Sequence, residues 1–376
     1  GYVKVNRFAQ STMEEFHEAL DELEPLGMKH LVLDLRGNSG GYLNTAIQLS
    51  DEFLEDKNLI VYTEGISNPK RESFATSRGR FEKGKLVVLI DEGSASASEI
   101  VSGAIQDHDR GLIIGRRSFG KGLVQRPFKL RDGSTLKLTT ARYYTPAGRC
   151  IQRSYEGGND EYRKEGQRRR DNGELFSADS IHLDEQEEFL TDNKRKVYGG
   201  GGILPDLFIP LDTTENSEFL RDLLSNGLFY QYINEYVDAN REELKSQYLD
   251  FETFDAKFDL NGKFLDDFFV FAEKEMKPKK LTEDADVLNQ KQLQTLDKVL
   301  VNDEAASQPQ DFATRKQEGM ETSGKLIKTR LKALLARTLW KSEEFYRVFN
   351  TEDDAVGKAI KSIDDKTFRK LKLSYN

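Results

Sequence analysis

An α/β core with parallel strands, followed by a mainly α-helical region, is the fold class this sequence predicts. Three observations carry it. Apolar runs of strand length alternate with segments of helical period through residues 1–115. The run His30-Leu31-Val32-Leu33-Asp34-Leu35 is apolar in the manner of a strand buried in an α/β layer, and Lys85-Leu86-Val87-Val88-Leu89-Ile90 is stronger still. Beyond Asp212 the strand-like runs stop, and Phe219, Leu223 and Leu224, then Phe229, Ile233 and Tyr236, recur at helical spacing. The expected division is a core over residues 1–212, with a polar insertion at 153–198, and a helical region over 213–376.

Tyr2–Val5 reads as a short strand. Ser11 or Thr12 caps a helix through Phe16, Leu20 and Leu23 that Gly27 ends. After the strand His30–Leu35 come the loop Arg36-Gly37-Asn38-Ser39-Gly40-Gly41 and a helix through Ala46, Leu49 and Phe53. Leu59–Tyr62 and Lys85–Ile90 are strands. A Ser-rich turn leads into a helix from about Ser96 to Asp107, and Gly111–Gly115 returns as a strand. From Gly122 to Tyr144 the pattern is a hairpin turning at Arg131-Asp132-Gly133-Ser134. The insertion, with its cluster Arg168-Arg169-Arg170, reads as solvated surface. Gly199–Asp206 reads as a flexible joint. Further on, Phe264, Phe268, Phe269 and Phe271 lie on a helix, 278–310 are loop plus helix, and 318–348 form one long helix.

Composition sets bounds. A chain of 376 residues has room for two or three domains. Its net charge of −9 argues against nucleic acid as the main partner. The single cysteine, Cys150, excludes an internal disulfide framework, and four histidines beside it do not make a zinc cluster. No run of 18 apolar residues is present, so no transmembrane segment is expected. The chain opens on Gly1 and enters a strand at once, which reads as an excised fragment whose targeting segment has been removed.

The chemistry centres on Asp91-Glu92-Gly93-Ser94-Ala95-Ser96-Ala97-Ser98-Glu99-Ile100 and on Phe119-Gly120-Lys121-Gly122. The first is a turn of small residues between a strand and a helix, where a substrate backbone can approach. A serine hydroxyl is a weak nucleophile until a base takes its proton, and a neutral lysine can be that base. If the helix starts near Ser96, the Ala97 N–H is free to hold an oxyanion. A plain Ser-rich helix cap explains the same residues, and local chemistry does not rank Ser94, Ser96 and Ser98. Gln125 faces the same side of an extended segment as Lys121. The turn Gly40-Gly41 offers a second set of amides. A triad through His108 is disfavoured, because His108 lies at the far end of the helix, roughly 18 Å from Ser96. His17 and His182 lie in polar segments.

Together these segments resemble the carboxyl-terminal processing proteases, or tail-specific proteases, of peptidase family S41. The resemblance rests on Leu33–Gly41, Gly93–Ile100, Ser118-Phe119-Gly120-Lys121-Gly122-Leu123-Val124-Gln125 and Tyr143-Tyr144-Thr145-Pro146-Ala147-Gly148-Arg149, and it spans about residues 1–212. It implies the α/β core shared with Clp protease and crotonase. It implies Ser96 as nucleophile, Lys121 as general base, Gln125 as its assistant, and Ala97 with Gly40 or Gly41 as the oxyanion hole. Glu99 and Asp107 match supporting acidic positions. No metal or other cofactor is implied. The implied partners are proteins or peptides with exposed C-terminal tails, in the periplasm or cell envelope. The family's PDZ domain ahead of Tyr2 is not in this sequence. The insertion and the helical region look like the long form of Bacteroidetes relatives, and the helical region is expected to serve a homo-oligomer or an adaptor. Two other classes share these features: a crotonase-like acyl-CoA enzyme and a non-catalytic scaffold.

Overall fold

The computed structural model describes residues 1–155, 157–182, 187–260, 262–276 and 311–375. The loop and helix expected over 278–310 lie outside the described residues. The chain divides into two units, Gly1–Leu211 with Asp354–Asn376, and Asp212–Asp353. The first unit begins β1 (Tyr2–Lys4), α1 (Thr12–Leu23), β2 (Leu31–Asp34), α2 (Leu43–Asp51), β3 (Leu59–Gly65), β4 (Asn68–Phe74), β5 (Leu86–Ile90), α3 (Ala97–Asp107) and β6 (Leu112–Gly115). It continues with β7 (Leu123–Lys129), β8 (Thr135–Tyr144), α4 (Gly158–Asp171), β9 (Glu188–Leu190), β10 (Lys196–Tyr198) and β11 (Leu207–Phe208). The second unit holds α5 (Glu218–Ser225), α6 (Leu228–Gln247), α7 (Phe251–Lys257), α8 (Lys263–Met276), α9 (Phe312–Leu339) and α10 (Ser342–Phe349). Two last helices, α11 (Asp354–Asp364) and α12 (Thr367–Lys370), belong to the first unit.

The first unit is built on a parallel sheet in the order β1-β2-β5-β6-β11. Side chains alternate across a strand, so each strand feeds two cores. Leu31, Leu33, Leu86, Val88, Ile90 and Ile113 pack with α1, α2 and α3. Val32, Val87, Leu89, Leu112 and Ile114 point to the other face, where Ala355, Val356, Ala359, Phe368 and Leu373 cover them. The expected helical region running from 213 to the C-terminus is therefore corrected: its last 23 residues return to the sheet. The reason is physical, because an all-parallel sheet with apolar residues on both faces must be covered on both. Phe368 is only 1% exposed within that layer. Phe368→Ala is expected to destabilise the first unit by about 3–5 kcal/mol, measured by denaturant titration.

A second, antiparallel sheet runs β4-β3-β8-β7. The hairpin β7–β8 turns over residues 130–134, as its sequence predicts. Strand β4, polar and mostly exposed, has no apolar signal and was not anticipated. The second unit is helical around a core rich in phenylalanine, including Phe219, Phe229, Phe254, Phe268 and Phe269. The single helix expected over 318–348 is two, α9 and α10. The chain leaves helical geometry at Trp340, and Glu344 accepts from the Lys341 N–H to restart it.

Candidate active site

Asp91, just past β5, folds the Ser-rich turn. Its Oδ1 accepts from the N–H groups of Gly93 and Ser94, and also from Gly37 in the neighbouring loop. The three serines then part company. Ser94 is buried and donates to Leu35 O at 2.8 Å. Ser98 is buried and donates to Asn38 O, also at 2.8 Å. Both hydroxyls are used to tie the turn to the loop after β2. Ser96 alone of the three is not buried. It stands at the N-cap of α3 with φ 57° and ψ −107°. A non-glycine residue held there costs about 1–3 kcal/mol, which the surrounding contacts must offset.

Those contacts also fix Lys121. The buried Glu99 carboxylate accepts four hydrogen bonds: from Ser96 N at 2.7 Å, Ser118 Oγ at 2.5 Å, Gly120 N at 2.6 Å and Lys121 N at 2.9 Å. One side chain thus holds the serine turn and the lysine loop in a single frame. Burial pushes the Glu99 carboxyl up from the ordinary carboxylate range, and the four donors offset part of that rise. Tyr143 on β8 makes a second bridge. Its hydroxyl lies 2.5 Å from Lys121 O and 3.0 Å from Ser96 O, sharing its proton between the two carbonyls. Burial, and then the nearby Glu99, push the Tyr143 phenol well above its usual value, so it remains a donor.

The glycine turn completes the surroundings. Gly40 N donates to Asn38 Oδ1 at 2.9 Å, and Asn38 Nδ2 donates to Val5 O. Among the described residues, the N–H groups of Gly41 and Ala97 have no hydrogen-bond partner. Gly40 has φ +101°, and a Cβ there would sit 2.8 Å from Ala95 O, 2.9 Å from Ser96 Cβ and 3.0 Å from Ala97 N. Gly40→Ala is therefore expected to cost about 1–3 kcal/mol of stability and to displace Ser96. Gly37→Ala is the control: its φ is +71°, but a Cβ there meets nothing within 4 Å. Thermal melting should fall for both variants, whereas turnover should collapse only for Gly40→Ala.

Other expected site residues are placed less closely. Gln125 is exposed on β7, and among the described residues no hydrogen bond joins it to Lys121. Nor does one join Lys121 Nζ to Ser96 Oγ. Asp107 sits at the opposite end of α3 from Ser96. It pairs there with the fully buried Arg149 at 2.5 Å and accepts from Ala147 N, anchoring the turn after β8. His108 caps the same far end, its two nitrogens engaged by Asp192 and by Leu59 O. The residues missed from sequence are Asn38, Ser118 and Tyr143. All three lie inside the quoted motif stretches, but a loop asparagine, a loop serine and a strand tyrosine carry no local chemical signal.

The expected solvated surface at Arg168-Arg169-Arg170 is corrected for its middle residue. Arg169 is buried on α4 and bonds Glu174 at 2.8 Å. The expected flexible joint at Gly199–Asp206 is corrected too. Gly202 and Ile203 are buried, and Ile203 N donates to Ser118 Oγ at 2.7 Å. A Cβ on Gly202 would lie 2.6 Å from Ser118 O, so glycine here permits close approach of two backbones.

Comparison with known proteins covers both units. Residues 219–341 match a family of unknown function, DUF8443. Residues 1–158 match peptidase family S41. A carboxy-terminal-processing protease of Bartonella bacilliformis is 44% identical over 157 residues, 40% of this chain and 36% of that protein. A carboxyl-terminal-processing protease of Picosynechococcus is 40% identical over 149 residues, 39% of this chain and 35% of that protein. The match thus spans about a third of each relative's length. A solved photosystem II D1 C-terminal processing protease is 38% identical over 40% of this chain and 39% of its own, at a TM-score of 0.38. Over its first 158 residues this chain is similar to peptidase family S41.

Proposed function

We propose that the chain is a serine endopeptidase that cuts polypeptides near their C-terminus, with Ser96 as nucleophile and Lys121 as general base. The observation that carries this reading is the shared frame: Glu99 and Tyr143 each bond both the Ser96 and the Lys121 backbone. Lys121 Nζ takes the Ser96 proton, and Ser96 Oγ bonds to the scissile carbonyl carbon. The oxyanion is held by Ala97 N–H and Gly41 N–H, since Gly40 N–H is already given to Asn38. Lys121 returns the proton to the leaving amine, and the C–N bond breaks. Water then attacks the ester with Lys121 as base, releasing the carboxylic acid and restoring Ser96. Gln125 assists Lys121 in this scheme, and Asp107 supports it only by anchoring the 145–149 turn.

The substrates proposed are proteins with exposed C-terminal tails, and the compartment is the periplasm or cell envelope. Among the described residues no helix is long and apolar enough to cross a membrane. The helical unit Asp212–Asp353 is proposed as the surface for a second copy or an adaptor. The test of the activity uses a folded carrier protein bearing an unstructured, apolar C-terminal tail. Intact-mass analysis should show internal cleavage within the tail. Stepwise loss of single residues, or no cleavage, contradicts the reading.

A further inference from the structure

Lys121 lies between Gly120, with φ +85°, and Gly122. Glycine leaves the backbone broad freedom, so the loop does not fix its own lysine. Catalysis requires that it be fixed, since a 1 Å misplacement can cost about 100-fold. Glu99 grips the loop through its N–H groups from the α3 side. The carbonyl side is gripped from α4. Arg169 Nη2 donates to Arg117 O at 2.7 Å, and Nη1 donates to Ser118 O at 3.0 Å. Its third contact, Nε to Glu174 Oε1, sets the plane of the guanidinium. Glu174 in turn accepts from Arg117 Nε at 2.7 Å and from Arg117 Nη2 at 2.5 Å. Arg117, Arg169 and Glu174 are all buried. Arg153 adds a lid, donating its N–H to Gly120 O and stacking between the rings of Phe119 and Tyr162 at 4.0 and 3.9 Å.

We propose that Arg169, oriented by Glu174, is a positioning residue that sets the place of Lys121 through the carbonyls of Arg117 and Ser118. The inference rests on Lys121 being the general base. It gives a task to a residue of α4, Arg169, that lies past the residues matching family S41. Cohesion alone does not account for this node. A buried cluster of two cations and one anion adds little net stability where apolar packing would serve. Its hydrogen bonds go to the lysine loop, to itself and to nothing in the sheet. Removing Arg169 leaves Glu174 paired with Arg117 through two bonds, so no buried charge is orphaned.

The experiment is the rate of phosphonylation of the full chain by a fluorophosphonate. Ser96 Oγ bonds to phosphorus, the P–F bond breaks, fluoride leaves, and Lys121 takes the proton. Arg169→Met should label about 100-fold more slowly than wild type, with faster amide exchange confined to residues 117–122. Arg169→Lys can reach one carbonyl only and should recover part of the rate, and it takes the place of Arg169→Met should that variant not fold. On a cleaved peptide both variants should lower kcat and leave KM within about twofold. Wild-type labelling by Arg169→Met overturns the proposal, as does exchange that rises equally in β5 and α3. Lys121→Ala run in parallel separates the two claims. If it labels as fast as wild type, the base assignment fails; if it is inert while Arg169→Met is normal, only the positioning role fails.

Discussion

Replacing Lys121 by alanine is expected to lower peptide cleavage by about 1000-fold or more, with little loss of stability. The two halves of that expectation have different grounds. The loop is held through backbone atoms, by Glu99 at Lys121 N and by Tyr143 at Lys121 O, and alanine keeps both. Among the described residues the amine has no hydrogen-bond or ion-pair partner, so truncation removes neither. On the proposed mechanism, activity depends instead on a group that can accept a proton from Ser96. Lys121→Arg sharpens the point. Arginine keeps the charge and the length but is not deprotonated in proteins, so it should be as inactive as alanine. An arginine variant with substantial turnover would mean that the cation, and not a base, is what the site needs. Steady-state cleavage rates and thermal melting of the two variants decide it.

The second large effect is at Glu99. Four donors converge on its two oxygens, and only a carboxylate can accept all of them. Glutamine accepts on one oxygen and turns its NH2 toward two of the donors. Glu99→Gln is expected to lower turnover by about 100-fold or more, because the serine turn and the lysine loop lose their common anchor. Alanine leaves every donor unmet, at about 1–3 kcal/mol for each that stays buried. The pH dependence has a definite sign. Burial raises the folded pKa of Glu99 above its unfolded value, so the folded state holds this proton more tightly. Its contribution to stability is therefore full below the unfolded value, near 4.3, and is lost as pH rises through the raised folded value. Activity runs the other way, since the ionised form is what accepts four bonds. Wild-type turnover should fall on acidification at a higher pH than an ordinary carboxylate gives. The stability gap between wild type and Glu99→Gln should narrow as pH rises across that window, which paired denaturation series measure.

Legibility in the sequence followed the range of the interactions involved. Strands β2, β5 and β6 were readable because burial demands uninterrupted apolar runs. The β7–β8 turn was readable because Asp132-Gly133 is a local signal. Ser96 and Lys121 were readable as a pair, though local chemistry left three serines tied. What favours Ser96 in the proposed role is tertiary: Leu35 O and Asn38 O take up the hydroxyls of Ser94 and Ser98. Tyr143 was opaque because its role depends on β8 passing beside both loops. Arg169 was opaque because its acceptors lie 51 and 52 residues away, so the triplet Arg168-Arg169-Arg170 read as surface charge. The return of α11 and α12 left a trace that local periodicity did not reveal. Val32, Val87 and Leu89 face away from α1, α2 and α3, and that apolar face required a second layer of helix.

The central claim is that Ser96 is the nucleophile armed by Lys121. Its most direct test is the site of fluorophosphonate attachment, mapped by tandem mass spectrometry on the full chain. A single adduct on Ser96, absent from Lys121→Ala and present in Ser94→Ala, is the predicted result. An adduct on Ser94 or Ser98, or equal labelling of Ser96→Ala, would contradict it.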